Sequence, residues 1–192
     1  SSANGTIEEI LDYAKNAKKE LEELSSWNEN AQELINSIKI LEKDVFARAT
    51  KISEKRKSFA SKMSEQIEQV LSQLGMAGSK FAVSITQKES SDMVQKCGIR
   101  GMDNVEFLIC ANKGGELKPL AKIASGGEIS RVMLAMKSIL AESDSVDTLI
   151  FDEIDTGIGG EVSVSVGSHI KKLSQKKQIL CITHLASIAV YA

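Results

Sequence analysis

The chain has 192 residues, room for about one domain of ordinary size or a small domain with an extension. Its 24 Lys plus Arg against 26 Asp plus Glu leave a net charge of −2, so the whole-chain charge gives no argument for a nucleic-acid partner, although a local basic stretch still can. At 42% hydrophobic and 26% charged, with a single Pro, it is neither low-complexity nor wholly disordered, and long uninterrupted helices are expected.

No apolar run approaches the roughly 20 residues needed to span a bilayer, and the opening SSANGTIEEI lacks the basic-then-apolar pattern of a secretion signal. Cys97, Cys110 and Cys181 are odd in number and show no CxxC spacing, which argues against a disulfide framework or zinc knuckle. The two histidines, His169 and His184, are too few for a histidine-rich metal site. These limits predict a soluble cytoplasmic protein with reduced thiols and no membrane partner.

The first third reads as helix. Ile7, Ala14, Leu21, Asn28 and Ile35 recur every seven residues, and Ile10, Ala17, Leu24, Ala31, Ile38, Val45, Ile52 and Phe59 run three residues behind them. Together they give the 3-4 spacing of a coiled-coil seam, which slips at Glu42, where Leu41 takes over. Met63, Ile67, Val70, Leu71 and Leu74 continue an apolar stripe to a stop at Gly75. A continuous helix over 7–74 would be about 100 Å long. The run from Ser25 to Asn30 favours caps and turns and could break it into two helices. Such a stripe needs a partner helix to be buried.

Charge along this arm is uneven. Residues 1–38 carry 3 basic and 8 acidic side chains, net −5. Residues 39–62 carry 8 basic side chains (Lys39, Lys43, Arg48, Lys51, Lys55, Arg56, Lys57 and Lys62) and 3 acidic ones, net +5. Two readings stand: a phosphate-contacting stripe on DNA, or the solvated outer face of a coiled coil.

After Gly75 the period changes. Phe81, Val83 and Ile85 alternate, as do Val105, Phe107 and Ile109, predicting two half-buried strands with Gly98 and Gly101 in their connection. From residue 120 the pattern is loop, helix, strand, helix, strand, helix. Ile129, Val132, Met133, Met136, Ile139 and Leu140 form one helical face, and 149–151 and 179–182 read as strands buried on both sides. That alternation predicts a parallel α/β sheet.

The chemistry gathers in this last part. Asp152 and Glu153 end an apolar strand at the carboxyl edge of a parallel sheet, where ligands bind. Adjacent carboxylates there can divide nucleotide hydrolysis, one holding Mg²⁺ through water and the other deprotonating the attacking water. Strands also end in acidic residues merely for solubility. Ser125, Gly126, Gly127 and Glu128 open the helix before that strand with a good N-cap and two glycines, a ready phosphate site or an ordinary helix start. His184 follows the second strand, where it can touch a terminal phosphate or simply cap. The loop beginning at Asp155 is rich in glycine and lies beside the same edge.

Order and spacing sharpen this. ASGGE (124–128), TLIFDE (148–153), IDTGIGG (154–160) and CITH (181–184) resemble the signature motif, Walker B, D-loop and switch histidine of ABC-type ATPases. The longer strings KIASGGEISRVMLAMKSIL, LIFDEIDTGIGG and ITHLASIA are similar to the C-terminal half of the RecN family, bacterial DNA-repair relatives of the SMC chromosome proteins. The close match spans about residues 117–192, and the arm fits more loosely.

The resemblance implies an ABC-type head in its C-terminal half, with a parallel sheet at 75–192 and a coiled-coil arm segment at 1–74. It implies ATP and Mg²⁺ sandwiched between two heads. Asp152 would assist Mg²⁺, Glu153 would be the general base, and His184 would contact the γ-phosphate. Asp155 would couple the two sites, while Ser125, Gly126, Gly127 and Glu128 would meet the nucleotide of the opposite head. DNA, a second copy and the P-loop-bearing N-terminal half would be partners, in the bacterial cytoplasm at the nucleoid. One departure is large: no G-x-x-x-x-G-K-S/T occurs, and the nearest string, at 75–80, has the wrong spacing. The chain is therefore expected to be a half-head that alone neither binds ATP well nor hydrolyses it, with a face left bare where the other half packs. A transporter ATPase subunit, another SMC-type ATPase and a non-catalytic coiled-coil scaffold remain as alternatives.

Overall fold

A computed structural model of the chain describes residues 6–90, 93–123 and 125–192, with the side chains of Asn28, Glu29, Met93 and Val94 also outside the description. Helix α1 runs without interruption over Ile7–Gln73, 67 residues. Thr6 starts it with a capping box: its hydroxyl accepts the Glu9 N–H at 3.4 Å, and Glu9 returns a carboxylate to the Thr6 N–H at 2.7 Å. Gly75, at φ +80°, stops it, and the Met76 N–H folds back onto the Leu71 carbonyl at 3.0 Å.

Of the two possibilities at Ser25–Asn30, the continuous helix is the one realised. The weak helix formers there cost a few tenths of a kcal/mol each, whereas ending one helix and nucleating another costs far more when no Gly or Pro intervenes. Ser26 accommodates by donating its hydroxyl to the Glu23 carbonyl at 2.8 Å.

From Ala49 onward α1 joins the core. Met63, Ile67, Leu71 and Leu74 are buried there. Upstream, Ile10, Leu24, Ile38 and Val45 of the predicted seam are exposed.

The two strands that the alternation predicts are present as β1 (Lys80–Gln87) and β2 (Asp103–Cys110), and they pair antiparallel, with Phe81 opposite Ile109 and Val83 opposite Phe107. The short helix α2 (Met93–Lys96) and a Gly98–Gly101 bridge lie in their connection, and β3 (Lys118–Pro119) extends the sheet. A 3₁₀ turn, Leu120–Lys122, leads on to helix α3 (Gly126–Leu140).

Next come β4 (Thr148–Phe151), α4 (Gly160–Ser174), β5 (Gln178–Cys181) and α5 (Ala186–Ala189), with β4 and β5 parallel. The core lies where α1, α3 and α4 meet one side of β4, around Val132, Leu134, Ala135, Phe151, Ile154 and Val166.

Two readings of the sequence need correction. Strands β4 and β5 are not covered on both faces: Leu149 and Phe151 are buried, but Ile150, Leu180 and Ile182 are 67%, 51% and 60% exposed, because no described layer packs on that side. Helix α3 is buried more broadly than the predicted stripe, with Arg131, Leu134 and Ala135 also enclosed between α1 and α4.

Candidate functional site

The parallel register, Phe151 opposite Cys181, brings the ends of β4 and β5 side by side, so that the segments 152–157 and 183–185 meet. Asp155, 4% exposed, makes the junction. It accepts the Thr183 hydroxyl at 2.5 Å and the His184 backbone N–H at 2.9 Å, and lies 3.3 Å from His184 Nδ1. Burial opposes its ionisation, yet those two donors and the imidazole outweigh it and hold its carboxyl below the usual aspartate range. Apart from that contact the His184 side chain is 80% exposed.

The carboxylates of Asp152 and Glu153 are exposed at the same edge. Asp152 Oδ1 accepts the Glu153 N–H at 2.8 Å, and Glu153 adopts φ +56°. No other non-glycine among the described residues has a positive φ.

Helix α3 brings its first turn to this edge. Ser125 is its N-cap, accepting the Glu128 N–H at 3.4 Å. Gly126 lies against the Glu153 side chain, so that a Cβ there would stand 1.8 Å from Glu153 Oε2. Gly127 is buried against the 153–156 loop, with the Glu153 and Thr156 carbonyl oxygens 3.0 Å from where its Cβ would be. Ala124 of the predicted motif lies outside the described residues.

Thus Ser125–Glu128, Asp152, Glu153, Asp155 and His184, apart by up to 59 positions in sequence, share one edge. The arrangement offers an anion the positive end of α3, and offers water two carboxylates and an imidazole. Asp152 presents a carboxylate suited to a hard cation that keeps its waters, and no group of three or more His, Cys, Asp or Glu that could hold a metal occurs among the described residues.

Sequence reading missed three residues here. Thr183 shares Asp155, Ser130 donates to the Asp152 carbonyl at 2.7 Å, and Arg131 donates to the Thr156 carbonyl at 2.8 Å. The signal for Arg131 was present: a charge in the run between Ile129 and Val132, beside the apolar face of the helix. His169 has a separate place, its Nε2 2.9 Å from Gln73 Oε1, which ties α4 to the end of α1.

The basic arm divides into engaged and free side chains. Arg56 is spent on the head: it pairs with buried Asp103 at 2.8 Å and donates to the Arg100 carbonyl at 2.8 Å. Arg48, Lys51, Lys55 and Lys62 follow 3-, 4- and 7-residue steps along one exposed face, although Arg48 also pairs with Asp44 at 2.9 Å.

A helix start with two glycines, a strand closing in two carboxylates, and a histidine after the next parallel strand thus stand together at one edge of an α/β lobe carrying a helical arm. No family model matches the chain. It is 45% identical over 188 residues to the DNA repair protein RecN of Treponema pallidum, covering 98% of this chain and 33% of that protein. It is 38% identical over 196 residues to RecN of Bacillus subtilis, covering 97% and 34%. A solved SMC head domain with coiled coil and joint from Pyrococcus yayanosii aligns over 96% of this chain and 32% of its own, at 20% identity and a TM-score of 0.47, too slight a likeness to add to the fold above. The chain is thus similar over nearly all of its length to RecN DNA repair proteins, and it spans about a third of the length of the curated relatives it matches. Among the described residues, no helix is long and apolar enough to cross a membrane.

Proposed function

We propose that this chain is the C-terminal lobe and one arm helix of a DNA double-strand-break repair ATPase of the RecN type. In that reading ATP-driven pairing of two heads is coupled to holding DNA ends or duplexes. The observation that carries it is the convergence of Ser125–Glu128, Asp152–Glu153 and His184 at one sheet edge, in a chain that is RecN-like over 98% of its length.

The arm spans 1–74 and the lobe 75–192, with the last turns of the arm shared in the lobe's core. The N-terminal half of the parent supplies the P-loop, and the bare face around Ile150, Leu180 and Ile182 suits its packing. Asp152 would help hold a water-rich Mg²⁺, which would supply charge neutralisation to the nucleotide's phosphates. Glu153 accepts the proton of the attacking water, and His184 donates to the γ-phosphate. Ser125, Gly126, Gly127 and Glu128 present the N-terminus of α3 to the nucleotide of a second copy. Asp155, already bonded within its own chain, acts on coupling through the two segments it fastens. The exposed basic face of α1 meets DNA phosphates, and the site of action is the bacterial cytoplasm at the nucleoid.

The test is ATP turnover by this chain, by the P-loop-bearing half, and by their mixture, with Glu153 intact and with Glu153→Gln. Turnover in the mixture alone, abolished by that substitution, is expected. Turnover by this chain alone would place the nucleotide elsewhere. A silent mixture that still forms a complex would favour a scaffold, for which the long exposed arm is the specific support.

A further inference from the structure

One turn of α3 grips the loop after β4 by its backbone. Ser130 Oγ donates to the Asp152 carbonyl at 2.7 Å, and Arg131 Nη1 donates to the carbonyls of Ile154 at 3.3 Å and Thr156 at 2.8 Å. Gly127 meets the carbonyl oxygens of Glu153 and Thr156 so closely that a Cβ would come within 3.0 Å of both. Four of the five carbonyls from 152 to 156 therefore face this helix.

Within that grip Glu153 holds φ +56°, a conformation that costs a residue with a Cβ about 1 kcal/mol or more and persists only where neighbours enforce it. Arg131 is 6% exposed; the Glu128 carboxylate one turn back acts on it through charge without forming a close ion pair, and its Nε–H finds no acceptor among the described residues. A buried donor left unpaired is costly, so an apolar side chain would serve the core better. What Arg131 contributes that an apolar residue cannot is its hold on two carbonyls.

We infer that Arg131 is a positioning residue. With Ser130 it clamps the 152–156 backbone onto α3, keeps Glu153 in its left-handed conformation, and passes any movement of the first turn of α3 to the Glu153 carboxylate. That carboxylate already lies against Gly126. The clamp stands on geometry alone. The coupling rests on the ATPase reading above, in which the N-terminus of α3 meets the nucleotide of the opposite head. An occupant there then sets Glu153, and Glu153 affects that occupant's affinity in equal measure.

A double-mutant cycle on this chain tests the clamp. Glu153→Gly removes the cost of the left-handed conformation and is expected to raise Tm by a few degrees in the native background. In the Arg131→Met background the released loop relaxes, and the gain should disappear. Equal gains in both backgrounds would overturn the clamp. Ser130→Ala replaces Arg131→Met in the cycle if the latter does not fold.

The coupling is read in the completed two-half head. Arg131→Lys and Ser130→Ala are expected to lower kcat about 10- to 100-fold with KM for ATP unchanged, since misplacing a catalytic group by about 1 Å costs that much. A raised KM at native kcat would overturn it. A completed head that shows no turnover even unmutated would remove the ATPase reading and the coupling with it, while the stability cycle still decides the clamp.

Discussion

The carboxylate of Asp155 and the hydroxyl of Thr183 lie 2.5 Å apart across the ends of two parallel strands, 28 positions from each other in the chain. This bond, with the His184 N–H on the same oxygen, locks the loop bearing Asp152 and Glu153 to the segment bearing His184. The two halves of the candidate chemistry are therefore fastened to each other.

Removing that lock should be expensive. Asp155→Ala leaves the Thr183 hydroxyl and the His184 N–H without their acceptor, and a loss of about 2–4 kcal/mol is expected in urea unfolding. An unchanged midpoint would show that water replaces the carboxylate without penalty.

The same carboxylate sets an acid limit. Its folded pKa is depressed, so its contribution is fully present above the unfolded aspartate value of about 3.9 and is lost as pH falls through the folded value. Asp103 shares this window, its pKa lowered despite burial by Arg56 and Ser53. Stability is expected to fall steeply below about pH 4, less steeply in Asp155→Asn, and least in the double variant with Asp103→Asn.

Arg56 and Asp103 fasten the arm to the head, with Ser53 donating to the same carboxylate at 2.7 Å. Arg56→Met strands a buried carboxylate and is expected to cost about 3 kcal/mol in chemical unfolding. Because Arg56 is engaged, it should not contribute to DNA binding. Charge reversal of Lys51, Lys55 and Lys62 should instead make the salt dependence of DNA affinity shallower, by about 0.9 in log–log slope for every phosphate no longer neutralised. An unaltered slope would leave the arm as a solvated face.

Gly126 and Gly127 should behave differently although adjacent. Gly127→Ala drives a methyl group into Thr156 Cβ at 2.9 Å and two carbonyl oxygens at 3.0 Å, and a loss of about 2–3 kcal/mol is expected in thermal melts. Gly126→Ala meets mainly the movable Glu153 side chain, so it should fold with nearly native stability while displacing that carboxylate. Equal melting losses for the two would contradict the packing described.

Along α1, amide exchange should change character near Ala49, where burial begins. Amides before it are expected to exchange quickly, because a helix with no packed face opens locally at little cost, and those after it to share the stability of the core. Protection extending to Ile10 in this chain would show that the seam is already covered, most simply by a second copy.

Much of this molecule was legible in its sequence, and for physical reasons. Heptad spacing and the lack of Gly or Pro between 7 and 73 specify helix on either side of Ser25–Asn30, Gly75 ends it, and alternation at 81–85 and 105–109 specifies two half-buried strands. These are local properties, set by backbone propensity and by which side of an element is apolar. The placement of Ser125–Glu128, Asp152, Glu153 and His184 was legible because they sit at element ends, which sequence marks well. The chain could not state by itself that Ser25–Asn30 continues the helix, that β4 and β5 are covered on one face alone, or that Arg56 is withdrawn from the basic stretch. Nor could it show that Asp155 bonds inward to Thr183 and that Arg131 grips the loop holding Glu153. Each of these depends on what lies beyond the local stretch of chain, and burial, pairing and a left-handed backbone are decided by what tertiary packing brings alongside.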